Sequence, residues 1–175
     1  MQLIQPVNFP SFKEKVRTNK RSFRNFLNRL EKKMPAGLKK LTRRLETEVW
    51  KEVDCLSCAN CCKKMTPTFT AKDIRRISAH FGMTDAEFRS KWLIREKGGD
   101  RDWMNLSTPC QFLDLKTNFC SIYAIRPADC AGFPHLSKNL EDYGHVLKQN
   151  IEYCPAAFKL VEKMKLAFKE GRNME

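Results

Sequence analysis

At 175 residues, 42% of them hydrophobic and 30% charged, the chain is long enough for one domain with a real core plus an appendage, so disulfide staples are not needed for size alone. Its formal charge of +13 is uneven: residues 1 to 53 hold 14 Lys and Arg against 5 Glu, a net +9, and residues 54 to 175 hold 19 against 15, a net +4. No stretch is apolar for long enough to span a membrane, and the opening Met1 to Pro10 has no signal-peptide core, which excludes an integral membrane span and predicts a cytoplasmic chain.

In chain order, Ser11-Phe12-Lys13-Glu14 reads as a capping box, and Phe23, Phe26, Leu27, Leu30 and Met34 recur at helical spacing, predicting a helix from about Phe12 to Lys33. Pro35 and Gly37 break it. Leu38, Leu41, Leu45, Val49 and Val53 then mark one stripe of a second helix, whose other faces carry Lys39, Lys40, Arg43 and Arg44. Beyond the cysteine-rich run at 55 to 62, Thr66-Pro67-Thr68 reads as a loop. Thr70 caps a helix with Ile74, Ile77 and Phe81 that Gly82 ends, and Thr84 to Glu87 is a capping box opening a helix with Phe88 and Trp92. Gly98-Gly99-Asp100 stops that helix. From Trp103 to Tyr123 the pieces are strand-like, and the polar turn Leu115 to Asn118 predicts a hairpin that brings Cys110 and Cys120 together. Pro127 and Pro134 bound an irregular loop around Cys130, an extended piece is expected from about Val146 to Tyr153, and Pro155 opens a closing helix with Leu160, Val161, Met164 and Phe168 inside, ended by Gly171. The expected class is α+β, mainly α: a small cysteine-rich metal-binding domain with a short β-hairpin over 54–175, preceded by two basic amphipathic helices over 1–53.

Four of the eight cysteines, Cys55, Cys58, Cys61 and Cys62, fall within eight residues; the others are Cys110, Cys120, Cys130 and Cys154. In a reducing cytosol such density points to metal or redox chemistry rather than disulfides. Two cysteines separated by two residues can turn around one metal, because the backbone between them forms a knuckle that aims both sulfurs inward. Cys55, Cys58 and Cys61 therefore make a three-point grip, which matches the first three ligands of a ferredoxin-type 4Fe-4S cluster, and Cys154-Pro155 parallels the Cys-Pro that supplies the remaining ligand there. Eight cysteines suffice for two four-thiolate sets, as tetrahedral zinc or a cubane needs. Adjacent Cys61 and Cys62 are expected to point apart, so that Cys62 serves a second centre or is a spare thiol. The radical S-adenosylmethionine spacing is absent, and His135 reads as a loop histidine rather than a ligand.

Cys55-x2-Cys58-x2-Cys61-Cys62, then Cys110, Cys120, the run Ile122 to Cys130 containing Tyr123-Ala124-Ile125-Arg126-Pro127, Phe133-Pro134 and Cys154-Pro155, resemble in order the CxxCxxCC or YkgJ-like proteins, described as zinc- or iron-chelating domains. That resemblance covers roughly Val53 to Ala156 and implies that all eight cysteines belong to the metal set, with no settled activity attached. Ala131 and Ala156 stand where the family often has Arg and Gly. The cysteine run is also similar to one in the flagellin lysine methylases, where it goes with an iron-sulfur cluster, and this favours iron over zinc; no Gly-rich strand-to-helix turn accompanies it, and methylation is not carried over.

The expectation is thus a cytosolic protein that coordinates iron-sulfur clusters or zinc through eight cysteines, in a structural, redox or electron-transfer role with a redox protein as partner. Arg126 is a candidate to offset the negative charge of the centre by donating to a thiolate or a nearby carbonyl. The alternative is a nucleic-acid or acidic-partner binder in which the metal is structural and residues 1–53 make the contacts. No catalytic constellation is visible: Asp129 and His135 have no recognisable acid-base partner.

Overall fold

The computed structural model describes residues 6–95, 103–136 and 138–171. As the sequence predicts, the fold is mostly helical with one small antiparallel sheet. The chain divides into two compact units: Met1–Cys58 with Pro134–Glu175, and Ala59–Phe133.

The first unit is built from α1 (Phe9–Lys32), α2 (Leu38–Trp50), α3 (Cys55–Cys58), α8 (Leu140–Asn150) and α9 (Pro155–Lys169). Helix α1 starts before the expected Phe12, because the side chain of Asn8 accepts from the Ser11 amide at 3.0 Å and Pro10 sits in the first turn, where its missing N–H costs nothing. The apolar stripes of both N-terminal helices are buried as predicted, through Phe12, Phe23, Phe26, Leu27 and Leu30 on α1 and Leu38, Leu41, Leu45 and Val49 on α2. They pack against α8 and α9, with Phe158 at the centre: its ring lies 5.8 Å from Phe12 and 4.9 Å from Phe23. Part of the N-terminal positive charge is answered within the unit. Glu152 accepts from Lys20 at 2.9 Å and Arg24 at 2.5 Å, Glu31 pairs with Lys148 at 2.7 Å, and Glu52 pairs with Lys159 at 2.6 Å.

One expectation fails here. The extended piece from Val146 to Tyr153 is instead the second half of helix α8 and the turn after it. Asn139 caps that helix by accepting from the Glu141 amide, Glu141 and Asp142 sit in its first turn where the helix dipole favours them, and Leu140, Gly144 and Leu147 fall on its buried side.

The second unit holds α4 (Asn60–Lys64), β1 (Thr68–Phe69), α5 (Ala71–His80), α6 (Asp85–Trp92), β2 (Leu93–Arg95), β3 (Trp103–Asn105), a 3-10 turn (Tyr123–Ile125) and α7 (Ala128–Gly132). The sheet runs β1-β3-β2, antiparallel, with Met104 opposite both Thr68 and Ile94. Thr70 with Asp73 and Thr84 with Glu87 form two complete capping boxes, and Gly82, at φ +63°, follows α5 in the left-handed conformation that its missing Cβ permits. Phe69, Ile74, Ile77, Phe88, Leu93, Phe112 and Ile122 make the core, and Cys110 and Cys120 pack against it. The expected hairpin between these two cysteines is reduced to one bridge, Leu113 to Cys120, closed by the Asp114 amide donating to the Phe119 carbonyl at 2.8 Å. Its turn puts Asn118 at φ +61°, and the Asn118 amide bonds back to Asp114, so the loop closes before a ladder can extend. The segment around Cys130, expected to be irregular, is the short helix α7. The Gly98-Gly99-Asp100 stop lies outside the described residues.

Candidate metal centre

The opening cysteine run is shaped by two local devices. Asp54 accepts from the Leu56 amide at 2.9 Å and the Ser57 amide at 3.3 Å, so its carboxylate nucleates the single turn of α3 that carries Cys55 and Cys58. Ala59 then adopts φ +46°, a left-handed turn that ends α3 and restarts the chain as α4, the carrier of Cys61 and Cys62. The sulfurs of Cys61 and Cys62 lie 3.9 Å apart, so the expected divergence of this pair does not occur. Neighbours on a helix are only about 100° apart around the axis, and two short side chains can turn toward each other; side chains alternate to opposite faces only in a strand.

In the second unit, Cys62, Cys110, Cys120 and Cys130 form one electrostatic group. The Cys110 amide donates to the Cys62 carbonyl at 2.8 Å, which ties the start of the 110–120 loop to α4. Cys130 is raised first by burial and then by the charges of Cys62, Asp129, Cys110 and Cys120. Cys120 is raised by burial and by Cys110 and Cys62, and Cys110 by burial and by Cys62. Cys62 moves the other way, down to about 7, chiefly because the Cys61 thiol donates to it, with Lys63 adding positive charge. In the first unit, burial pushes Cys154 up to about 12, and the charges of Cys55 and Cys58 add to the rise. The thiols thus fall into two groups, Cys61 and Cys62 with Cys110, Cys120 and Cys130 in the second unit, and Cys154 with Cys55 and Cys58 in the first.

The surroundings of the sulfurs suit thiolates. Backbone amides two residues along donate to them: Phe112 to Cys110, Ile122 to Cys120, and Ala156, with Ala157, to Cys154 at the start of α9. Arg126 stacks its guanidinium 3.9 Å from the Tyr123 ring, donates to the Tyr123 carbonyl at 2.8 Å, and lowers Cys120 by its charge. No disulfide joins any of the eight cysteines. Among the described residues, no three Cys, His, Asp or Glu side chains are gathered tightly enough to hold an ion as they stand. The chemistry of the donor set nonetheless fits a thiophilic metal: one unit holds four half-buried thiols, Cys62, Cys110, Cys120 and Cys130, and backbone N–H groups donate to Cys110 and Cys120. Without a cation, burial holds most of them protonated, and a bound cation reverses that preference.

Sequence reasoning misses three residues that set this geometry. Asp54 is one. Asp73 is almost fully buried and accepts from the Thr70 amide and hydroxyl, from Arg76 and from the Ala128 amide two residues before Cys130. Asn105 is also buried and lowers the neighbouring Cys110 through its side-chain amide. Asp129, considered for acid-base chemistry, accepts from the Thr68 amide at 3.0 Å and anchors α7 to β1. His135 sits at φ +59° with its ring 5.7 Å from Tyr143.

A mostly helical chain with eight free cysteines, backbone amides donating to the sulfurs of Cys110, Cys120 and Cys154, and no disulfide has the features of a cysteine-type metal-binding protein. The chain belongs to the CxxCxxCC family, whose model carries the description "Putative zinc- or iron-chelating domain" and matches residues 54–155. The chain is also 31% identical over 81 residues to a protein of Methanocaldococcus jannaschii named "Uncharacterized protein MJ0661", a match covering 46% of this chain and 43% of that protein. The match therefore spans less than half the length of that relative. No solved structure matches the chain. Among the described residues, no helix is long and apolar enough to cross a membrane.

Proposed function

We propose that the protein is a cytosolic iron-sulfur protein whose eight cysteines are all ligands, with zinc as the alternative metal, and that its centres serve a structural or electron-transfer role toward a redox protein partner. What supports this reading is that one unit holds Cys62, Cys110, Cys120 and Cys130, with the Cys110 amide bonded to the Cys62 carbonyl at 2.8 Å and the charges of these thiols acting on one another. In the sequence, Cys55, Cys58 and Cys61 keep the C-x2-C-x2-C order of cubane ligands, and Cys154 precedes Pro155. Amides donating to sulfur favour a cluster further, since such hydrogen bonds tune its potential. Arg126 acts here as the charge-balancing residue beside Cys120.

Oxygen-free purification followed by iron, zinc and sulfide analysis tests the reading. Brown colour with iron and labile sulfide is the expected result. Stoichiometric zinc without colour selects the alternative metal, and a colourless product with neither metal overturns the proposal. A second reading, a nucleic-acid or acidic-partner surface on residues 1–53, is favoured by one observation: Lys39, Lys40, Arg43 and Arg44 are exposed on α2, and none of them has an ion pair among the described residues. Its signature is binding that weakens steeply with salt and is lost when these four are replaced by Ser.

A further inference from the structure

A cleft in the first unit, enclosing about 40 Å³, lies among the start of α2, the residues that lead into α8, and α8 and α9 themselves. Its floor is apolar: Leu38, Leu140, Leu147 and Met164 line it, each at most 9% exposed. Its rim is cationic. Of the described residues that line the cleft, Lys39 and Lys138 alone carry a formal charge at pH 7, and neither has an ion pair among the described residues. His135 stands at φ +59°, a conformation uncommon for a residue with a side chain, and its carbonyl accepts from the Lys138 amide at 3.1 Å. Both side chains then meet the half-buried ring of Tyr143, His135 at 5.7 Å between ring centres and Lys138 Nζ at 5.1 Å from the centroid, so Tyr143 is the wall that holds them at the cleft. A concave apolar floor with a few converging polar groups is the form of a small-molecule site.

We propose that this cleft binds a short aliphatic carboxylate, with Lys39 and Lys138 taking the carboxylate and the apolar floor taking the carbon chain. The size follows from the volume: a water-sized body needs about 10–15 Å³, so 40 Å³ holds roughly three carbons. The sign follows from the rim. A cationic ligand would meet two lysines and no acid, whereas a carboxylate gains charge-assisted hydrogen bonds from them. A bare inorganic anion would leave the apolar floor uncovered. None of the eight cysteines lines the cleft, so this site stands apart from the metal reading.

Titration of butyrate into the full chain, carrying methionines labelled with carbon-13 at the methyl, tests the proposal. Met34 and Met164 line the cleft, whereas Met65, Met83 and Met104 belong to the other unit. Saturable shifts at Met34 and Met164, with the other three unmoved, are the expected result. Acetate, which lacks the chain, and 1-butanol and butylamine, which lack the negative charge, are each expected to bind at least about tenfold more weakly. The double variant Lys39→Gln/Lys138→Gln, at two exposed positions that spare the fold, is expected to weaken butyrate about tenfold. Lys40→Gln, exposed on the same helix but outside the cleft, is expected to leave the affinity unchanged. Acetate or 1-butanol that binds as tightly as butyrate overturns the proposal. Butyrate that shifts neither Met34 nor Met164, or that binds the double variant as tightly as the wild type, overturns it too. A chain that takes up neither iron nor zinc but still shows the butyrate shifts would overturn the metal reading alone, so the two fail separately.

Discussion

Asp73 is the residue whose removal should most loosen the second unit without touching a thiol. Its carboxylate is 1% exposed and accepts four hydrogen bonds: from the Thr70 amide at 3.1 Å, the Thr70 hydroxyl at 2.6 Å, Arg76 at 2.8 Å and the Ala128 amide at 3.2 Å. Arg76 in turn donates to the carbonyls of Ile125 and Arg126, so this cluster ties α5 to the segment that enters α7. In Asp73→Ala, half the capping box is lost, at about 1 kcal/mol. The stranded Ala128 amide costs about 1–3 kcal/mol. The Arg76 pair, exposed at the arginine end, adds about 1 kcal/mol or less. The total is roughly 2–5 kcal/mol, a large fraction of the stability of an ordinary domain. Burial pushes the carboxyl up, but the donors from Thr70, Arg76 and Ala128 outweigh it and hold the pKa below its ordinary value. The stabilisation is therefore fully present above the unfolded pKa of about 4 and is lost as pH falls through the lower folded value. Urea unfolding followed by the fluorescence of Trp92 and Trp103, both in this unit, should show the full gap between wild type and Asp73→Ala at pH 7 and a closing gap below about pH 4. A loss under about 1 kcal/mol at pH 7, or a gap that persists unchanged into acid, refutes the reasoning.

Three further outcomes are expected. Phe158→Ala removes the ring that Phe12 and Phe23 pack on and should cost about 3–5 kcal/mol in chemical denaturation of the first unit, read by Trp50. At pH 7 Cys110, Cys120 and Cys130 are protonated because burial raises them, and Cys62, near 7, is about half so; loading a metal on these four should release about three and a half protons, counted with an indicator dye in weak buffer, and fewer than about two would contradict the assignment. Ala59→Val places a β-branched side chain at φ +46° and should destabilise the protein by more than about 1 kcal/mol relative to Ala59→Gly, measured by thermal unfolding; equal melting temperatures would show that the left-handed turn is not retained.

Local chemistry is legible in this chain, and distant pairing is not. The cap at Thr70, the capping box at Thr84, the breaks at Pro35 and Gly82 and the apolar stripes of α1 and α2 are properties of four to eighteen consecutive residues, so a local reading finds them, whereas the capping box read at Ser11 is displaced by Asn8, which caps α1 three residues earlier. Helix α8 had its signal too, in Asn139, Glu141 and Asp142, but the β-branched and aromatic residues Val146, Ile151 and Tyr153 pull a local reading toward an extended piece. Strands β1, β2 and β3 are two or three residues long, below the length at which alternation can be recognised. Asp73 is an ordinary polar residue in the sequence, and only a partner contributed by a distant segment, Ala128, gives it its role.

The cysteines show the same division at the level of chemistry. Their number and the x2 spacings declare a thiolate metal site because a knuckle is a local structure, complete within four residues. Which thiols interact with one another is set by tertiary contacts. Cys62 meets Cys110 because the Cys110 amide reaches the Cys62 carbonyl, and Cys130 joins them because Asp73 and Asp129 anchor the two ends of its short helix entry to α5 and β1. None of those tethers is a cysteine. Loss of Asp73 or Asp129 should therefore weaken metal binding while leaving every thiol in the chain, which separates the architecture of the centre from its list of donors.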